Sequence, residues 1–242
     1  GTTSAWMEAF ASGLGEAQDR FGVTLIGGDT VSTGGPLTLA ITAYGTVPAG
    51  AALARAGARD GDHVYVSGSI GDAALGLRLA TGAQMEMPAD LLAADTAFLL
   101  SRLRRPEPRL QLGRRLRGIA TAAIDVSDGL VADAGHIAET SGAALMIDAA
   151  QVPRSAVAQA VLAAEPGRLG GMLTGGDDYE LLFTAPPSAH DAVMAAARDA
   201  ETAVTRIGRV DKSPPAGVIV TDSGGAVMEF ESNGYRHRVD GV

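Results

Sequence analysis

The chain has 242 residues, 46% of them hydrophobic, enough to bury a core in one large or two modest domains. Its formal charge of −9 opposes nucleic-acid phosphates, and no apolar run reaches the roughly 18 residues that a membrane span needs. Cysteine is absent and Lys212 is the only lysine. Disulfides, thiolate nucleophiles, Cys-type zinc sites, the P-loop and the strand lysine of protein kinases are thereby excluded.

Thr2 to Arg20 carries helical periodicity, with Trp6, Phe10, Leu14 and Ala17 on one face. It does not read as a signal peptide, so the expected location is cytoplasmic. Val23 to Ile26 reads as a short strand ending in Gly27-Gly28-Asp29-Thr30, and Leu37 to Val47 alternates like a half-buried strand. Pro48-Ala49-Gly50 breaks that pattern and sets the expected domain boundary, with residues 1–48 on one side and 49–242 on the other.

Beyond the boundary, strands are expected at His63–Val66, Thr121–Ile124, Ala144–Asp148, Tyr179–Thr184, Val204–Val210, Val218–Thr221 and Val227–Phe230. Helices are expected at Asp72–Ala80, Pro88–Arg104, Arg109–Arg117, from Gly129 to Thr140, and at Ala156–Ala164 and His190–Ala200. Strands and helices mix throughout, so the fold class is α/β or α+β.

Three segments share one pattern, an apolar run entering a turn rich in Asp. They are Leu25–Thr30, Ala123–Gly129 and Leu173–Glu180. Aspartates at strand ends are rigidly held, solvent-accessible oxygen ligands, and several can converge on Mg²⁺, which then holds phosphate oxygens. The middle segment, Asp125-Val126-Ser127-Asp128-Gly129, offers two carboxylates, a hydroxyl and a helix start whose N–H groups favour phosphate. The same dipeptides are ordinary turns, and Asp128 is also a good helix N-cap. The arginines from Arg102 to Arg117 could bind phosphates, but at a net charge of −9 they read rather as the solvated face of two helices, and Arg55 alone as a surface residue.

Taken together, Gly27–Thr30, Ala54-Arg55-Ala56-Gly57-Ala58, Ile124–Leu130, Gly175–Leu181 and Asn233-Gly234-Tyr235-Arg236-His237 resemble the thiamine-monophosphate kinase family in order and spacing. That family belongs to a superfamily with aminoimidazole ribonucleotide synthetase, selenophosphate synthetase and a hydrogenase maturation factor. The resemblance implies a two-domain fold of that type with an incomplete amino-terminal domain. It also implies Mg²⁺-dependent transfer of the ATP γ-phosphoryl group to thiamine monophosphate, and a homodimer at full length.

Carried over by position, Gly28, Asp29, Arg55 and Ser127 resemble ATP contacts. Asp29, Asp125 and Asp128 resemble magnesium ligands, and Asp177 and Tyr235 resemble substrate contacts. Asp177 stands where the family usually has Glu, and Arg238 where Phe is common. The family's opening Gly-Asp-Asp segment has no counterpart before Gly1, so weak Mg·ATP binding and little turnover are expected of residues 1–242 alone. No acid, base or covalent nucleophile is assigned. Two phosphate charges 4 Å apart repel by about 4 kcal/mol at an effective dielectric near 20, and a metal clamp removes that barrier. Other readings are another enzyme of the superfamily, such as selenophosphate synthetase, a non-catalytic nucleotide-binding module, or a structural domain.

Overall fold

The structure is a computed structural model and describes residues 2–83, 88, 92–213 and 215–235. His237 and Arg238 lie outside the described residues. The chain forms two compact units, Gly1–Val47 and Pro48–Val242.

The first unit holds helix α1 (Ser4–Phe21). Thr3 caps its start by accepting the Trp6 N–H at 3.2 Å, and Gly22 closes it in the left-handed conformation. Trp6 and Phe10 stack on its surface with ring centroids 5.2 Å apart. The two strands expected after α1 are not formed among the described residues. Ile26, Ile41 and Tyr44 are about four-fifths exposed instead. Alternation supplies a strand with a face, but a ladder needs a hydrogen-bonding neighbour, and no described segment of this unit supplies one.

The second unit is built on a six-stranded sheet: β1 (His63–Ser67), β2 (Ala122–Val126), β3 (Ala144–Asp148), β4 (Glu180–Ala185), β5 (Val204–Asp211) and β6 (Gly217–Thr221). The spatial order is β2-β4-β1-β5-β3-β6. All neighbours are antiparallel except β3 and β6. The helices are α2 (Asp72–Thr81), α3 (Ala93–Arg104), α4 (Leu110–Arg115), α5 (Leu130–Ser141), α6 (Ala156–Ala164), α7 (Leu169–Thr174) and α8 (His190–Asp199).

Side chains alternate across the sheet as strand geometry requires. Val64, Val66, Ile124, Val126, Leu145, Ile147, Leu182 and Ile207 point to one face and pack with Leu130, Ala134 and Ile137 of α5. Tyr65 and Phe183 point to the other, where α4 and α8 cover them with Leu112 and Val193. A third cluster joins Leu75, Leu99, Val161 and Met172, from α2, α3, α6 and α7. The strand expected at Val227–Phe230 reduces to a single bridge between Thr221 and Val227, beyond the turn at Asp222–Gly225. Helix α7 was not expected, since Leu169–Thr174 contains two glycines.

Candidate functional site

Strands β2 and β4 are antiparallel, so the exit of β2 and the entry of β4 meet at one end of the sheet. Two of the three Asp-rich turns therefore lie side by side. The Asp177 N–H donates to the Ser127 carbonyl at 2.9 Å, and the Tyr179 N–H to the Val126 carbonyl at 2.8 Å. Gly176 permits this approach, because a Cβ there would stand 2.3 Å from the Ser127 oxygen. A third segment joins them: the Tyr235 N–H donates to the Asp128 carbonyl at 2.9 Å. The structure thus brings Asp125, Ser127, Asp128, Asp177 and Tyr235 into one neighbourhood. Asp128 and Tyr235 line a cleft of about 690 Å³ together with Ala132, His136 and Phe230.

The other expected residues belong to other segments of the chain. Gly28 and Asp29 belong to the first unit, where the Asp29 carboxylate accepts the Thr30 N–H at 2.8 Å. Arg55 is exposed and makes no ion pair or hydrogen bond through its side chain among the described residues. Its segment is nevertheless fixed beside β2, since the Ala54 carbonyl accepts the Ala123 N–H at 2.8 Å.

One expectation about this site is corrected. The N–H groups preceding α5 are not open to phosphate: those of Ser127, Asp128 and Gly129 all donate to Asp133 Oδ2, at 3.0, 3.0 and 3.2 Å. Nor is Asp128 the cap; Gly129 occupies that position. Asp133, from the first turn of α5, reaches back as an internal anion and stiffens the loop. Burial holds its carboxyl above the usual range, and the Asp128 and Asp125 charges push the same way.

The loop from Gly175 to Glu180 alternates outward and inward. Asp178 is buried and accepts the N–H groups of Gly71 at 2.7 Å and Ala73 at 3.1 Å, which caps α2 from a distance. Burial pushes its carboxyl up to about 7 against the pull of those two donors. Glu180 is also buried and receives Ser67 Oγ at 2.6 Å, Arg102 at 2.9 Å, and both Nε and an Nη of Arg109 at 2.7 and 2.6 Å. The outward residues, Asp177 and Tyr179, have φ of 69° and 50°. Left-handed backbone at Tyr179 is strained, and it persists because Asp178 and Glu180 hold both neighbours.

Arg102 and Arg109 correct a second expectation. They are not part of a solvated face; their side chains are 12% and 18% exposed and belong to this ion network. Arg104, Arg105, Arg114, Arg115 and Arg117 are exposed as expected. Sequence reasoning also passed over Asp133, Asp178, Tyr179 and Glu180. The alternation in Asp177-Asp178-Tyr179-Glu180 was the signal available for the last three.

Four carboxylates, those of Asp125, Asp128, Asp133 and Asp177, therefore share this end of the sheet, and none has an ion-pair partner among the described residues. The Asp177, Asp125 and Asp128 charges also reach the Tyr179 hydroxyl and raise its pKa after burial does. Asp128, Asp133 and His136 can each offer a ligand atom within 4.8 Å of the others. An uncompensated carboxylate group of this kind is chemically suited to a hard divalent cation, with anionic oxygens completing its shell.

Residues 59–221 match the C-terminal domain of the AIR synthase related proteins, and residues 1–47 match their N-terminal domain. The thiamine-monophosphate kinase of Caulobacter vibrioides is 43% identical over 86% of this chain, which spans 58% of that relative's length. The crystal structure of thiamine-monophosphate kinase from Stenotrophomonas maltophilia K279a superposes with a TM-score of 0.81 at 44% identity, covering 91% of this chain and 68% of that one. A structure described as AaThiL complexed with AMPPCP and TMP gives a TM-score of 0.62 at 32% identity, covering 77% of this chain and 54% of that one. With its Asp-rich turns and both domain signatures in register with these proteins, the chain belongs to the thiamine-monophosphate kinase family of AIR synthase related proteins.

Proposed function

We propose that the protein containing this chain transfers the γ-phosphoryl group of ATP to the phosphate of thiamine monophosphate, yielding thiamine diphosphate. The observation that carries the proposal is the unpaired carboxylate cluster beside a cleft, in a chain similar to a protein complexed with AMPPCP and TMP. Both reactants present anionic phosphate groups, which the carboxylates of Asp125 and Asp128 cannot hold directly. Asp125 and Asp128 would hold Mg²⁺, and the ion would supply the positive charge that offsets the phosphate groups.

This chain's own residues supply position. Asp133 fixes the Ser127–Gly129 backbone, and the Asp177–Ser127 bond fixes the second turn against the first. Ser127 presents a hydroxyl to ATP, Arg55 offers a planar guanidinium to its phosphates, and Asp177 and Tyr235 contact the acceptor. Gly28 and Asp29 are assigned to ATP and metal on family resemblance. The resemblance also supports a homodimer for the whole protein. The need for ATP favours a cytoplasmic location, and no helix among the described residues is long and apolar enough to cross a membrane.

The test is formation of thiamine diphosphate from thiamine monophosphate, ATP and Mg²⁺ by the protein as its host makes it. Asp125→Asn with Asp128→Asn is expected to lower turnover at least 100-fold, in line with loss of positioning of the reacting groups. Parent-like turnover in that variant would remove both residues from the metal site. No product from the parent would remove the proposed reaction.

A further inference from the structure

The sheet face opposite α5 is covered only in part. Helices α4 and α8 bury Tyr65 and Phe183, but over β5, β3 and β6 the same face opens into a cavity of about 550 Å³. Its lining includes His63, Met146, Gln151, Arg206, Arg209 and Ile219. It contains none of the residues assigned above to ATP, metal or thiamine monophosphate.

A β-bulge builds this wall. Along β1 and β5, His63 pairs with Arg209 and Val64 with Gly208, but Tyr65 pairs with Arg206. Ile207 is the extra residue. Directly paired residues point to the same face, so Arg206 and Arg209 both lie on the side of His63 and Tyr65. Without the bulge, residues three apart would point to opposite faces. Ile207 fills the core behind, fully buried. Gly208 lets β3 close in, since a Cβ there would stand 2.0 Å from the Met146 carbonyl oxygen.

The polar groups on this wall are unequally engaged. Arg209 is paired with Asp211 at 2.9 Å. Asp148 accepts the Ala150 N–H at 2.9 Å. Arg206 has neither an ion pair nor a hydrogen bond through its side chain among the described residues. His63 is held by its Nδ1, 3.2 Å from the hydroxyl of buried Tyr65, which also lies 3.0 Å from His190 Nδ1. That chain orients the ring and leaves Nε2 for another partner. Met146 and Ile219 are directly paired neighbours and form an apolar floor.

We propose that this cavity is a second ligand site, which binds a small organic anion with its apolar part on Met146 and Ile219 and its charged head on Arg206 and His63 Nε2. An apolar floor with a few convergent polar groups is the usual composition of a small-molecule site. An unpaired guanidinium selects phosphate or carboxylate. The site is independent of the proposed kinase reaction.

Phenyl phosphate is the probe, titrated calorimetrically into the full chain with EDTA present, so that no metal can bridge it to the acidic cluster. Saturable binding is expected, at least tenfold tighter than inorganic phosphate because of the apolar floor. Arg206→Ala is expected to weaken it tenfold or more, with Arg206→Lys in between. Asp125→Asn with Asp128→Asn should leave it unchanged. Arg206 is exposed, and circular dichroism checks that its variants stay folded. Absence of saturable binding by the folded parent, or unchanged binding by Arg206→Ala, overturns the proposal. So does loss of binding in the double Asn variant, which would place the probe in the acidic cleft.

Discussion

Asp178 shows how one buried carboxyl couples the acidic loop to pH. Its pKa, pushed up to about 7 by burial, lies above the ordinary value near 3.9 for an unfolded chain. Between those two values the folded protein holds a proton that the unfolded chain releases. Asp178 therefore favours folding below about pH 4, and that contribution is lost as pH rises to about 7, by up to roughly 1.4 kcal/mol per unit. Urea unfolding across this range should show the slope in the parent and not in Asp178→Asn. At about pH 4 the variant should be less stable by about 1–3 kcal/mol, because Asn offers one acceptor to two N–H donors, and the gap should narrow as the parent loses the Asp178 contribution toward pH 7. An identical slope in both proteins would show that Asp178 titrates normally. Beside it, Asp177 and Tyr179 face outward only because Asp178 and Glu180 face inward.

At the level of elements, Glu180 ties the start of β4 to α3 through Arg102 and to α4 through Arg109. Glu180→Ala would leave two largely buried guanidinium groups without their carboxylate, a change that costs about 3–5 kcal/mol when one partner of a buried pair is removed. Thermal or urea unfolding measures it, and a loss below about 1 kcal/mol, the range of exposed pairs, would mean the arginines find other partners. This network was not legible in the sequence, where seven arginines between Arg102 and Arg117 look alike. Burial is decided by which of them face Glu180 after β4 is placed, and that is a long-range fact. The elements of the second unit were largely legible, because amphipathic periodicity and capping act locally. The strand residues Val23–Ile26 and Leu37–Val47 were not, since pairing requires a second segment. In the candidate site, Asp125, Ser127, Asp128 and Asp177 stood out as parts of Asp-rich turns, Tyr235 only through the family resemblance, and the meeting of the two turns depends on β2 lying beside β4. Asp133 escaped notice because an ordinary first-turn acid gives no sign that it will bend back onto three N–H groups.

For the whole molecule, the apolar burial is concentrated in one unit. Among the described residues, all the buried core hydrophobics lie between Ala58 and Val220, whereas Val23, Leu25, Ile26, Leu37, Leu39 and Ile41 are exposed. Residues 48–242 are therefore expected to unfold cooperatively on their own, with a midpoint within about 3 °C of the full chain, a shift worth roughly 1 kcal/mol in a domain of this size. They should also bind less of a hydrophobic dye and sediment with less self-association, since large exposed apolar patches favour association. Calorimetry and sedimentation check both outcomes; a broad, non-cooperative transition would show that the first 47 residues are needed for the second unit's core. The bulge in β5 carries its own consequence at this scale. Arg206 and Arg209 share a face by parity rather than by identity: the chain counts one residue more than a regular strand would. Loss of a single residue there would reverse the sides of everything beyond it while leaving both arginines in the sequence. The information that builds that wall is thus held in spacing, and a comparison that scores only which residues are present is blind to it.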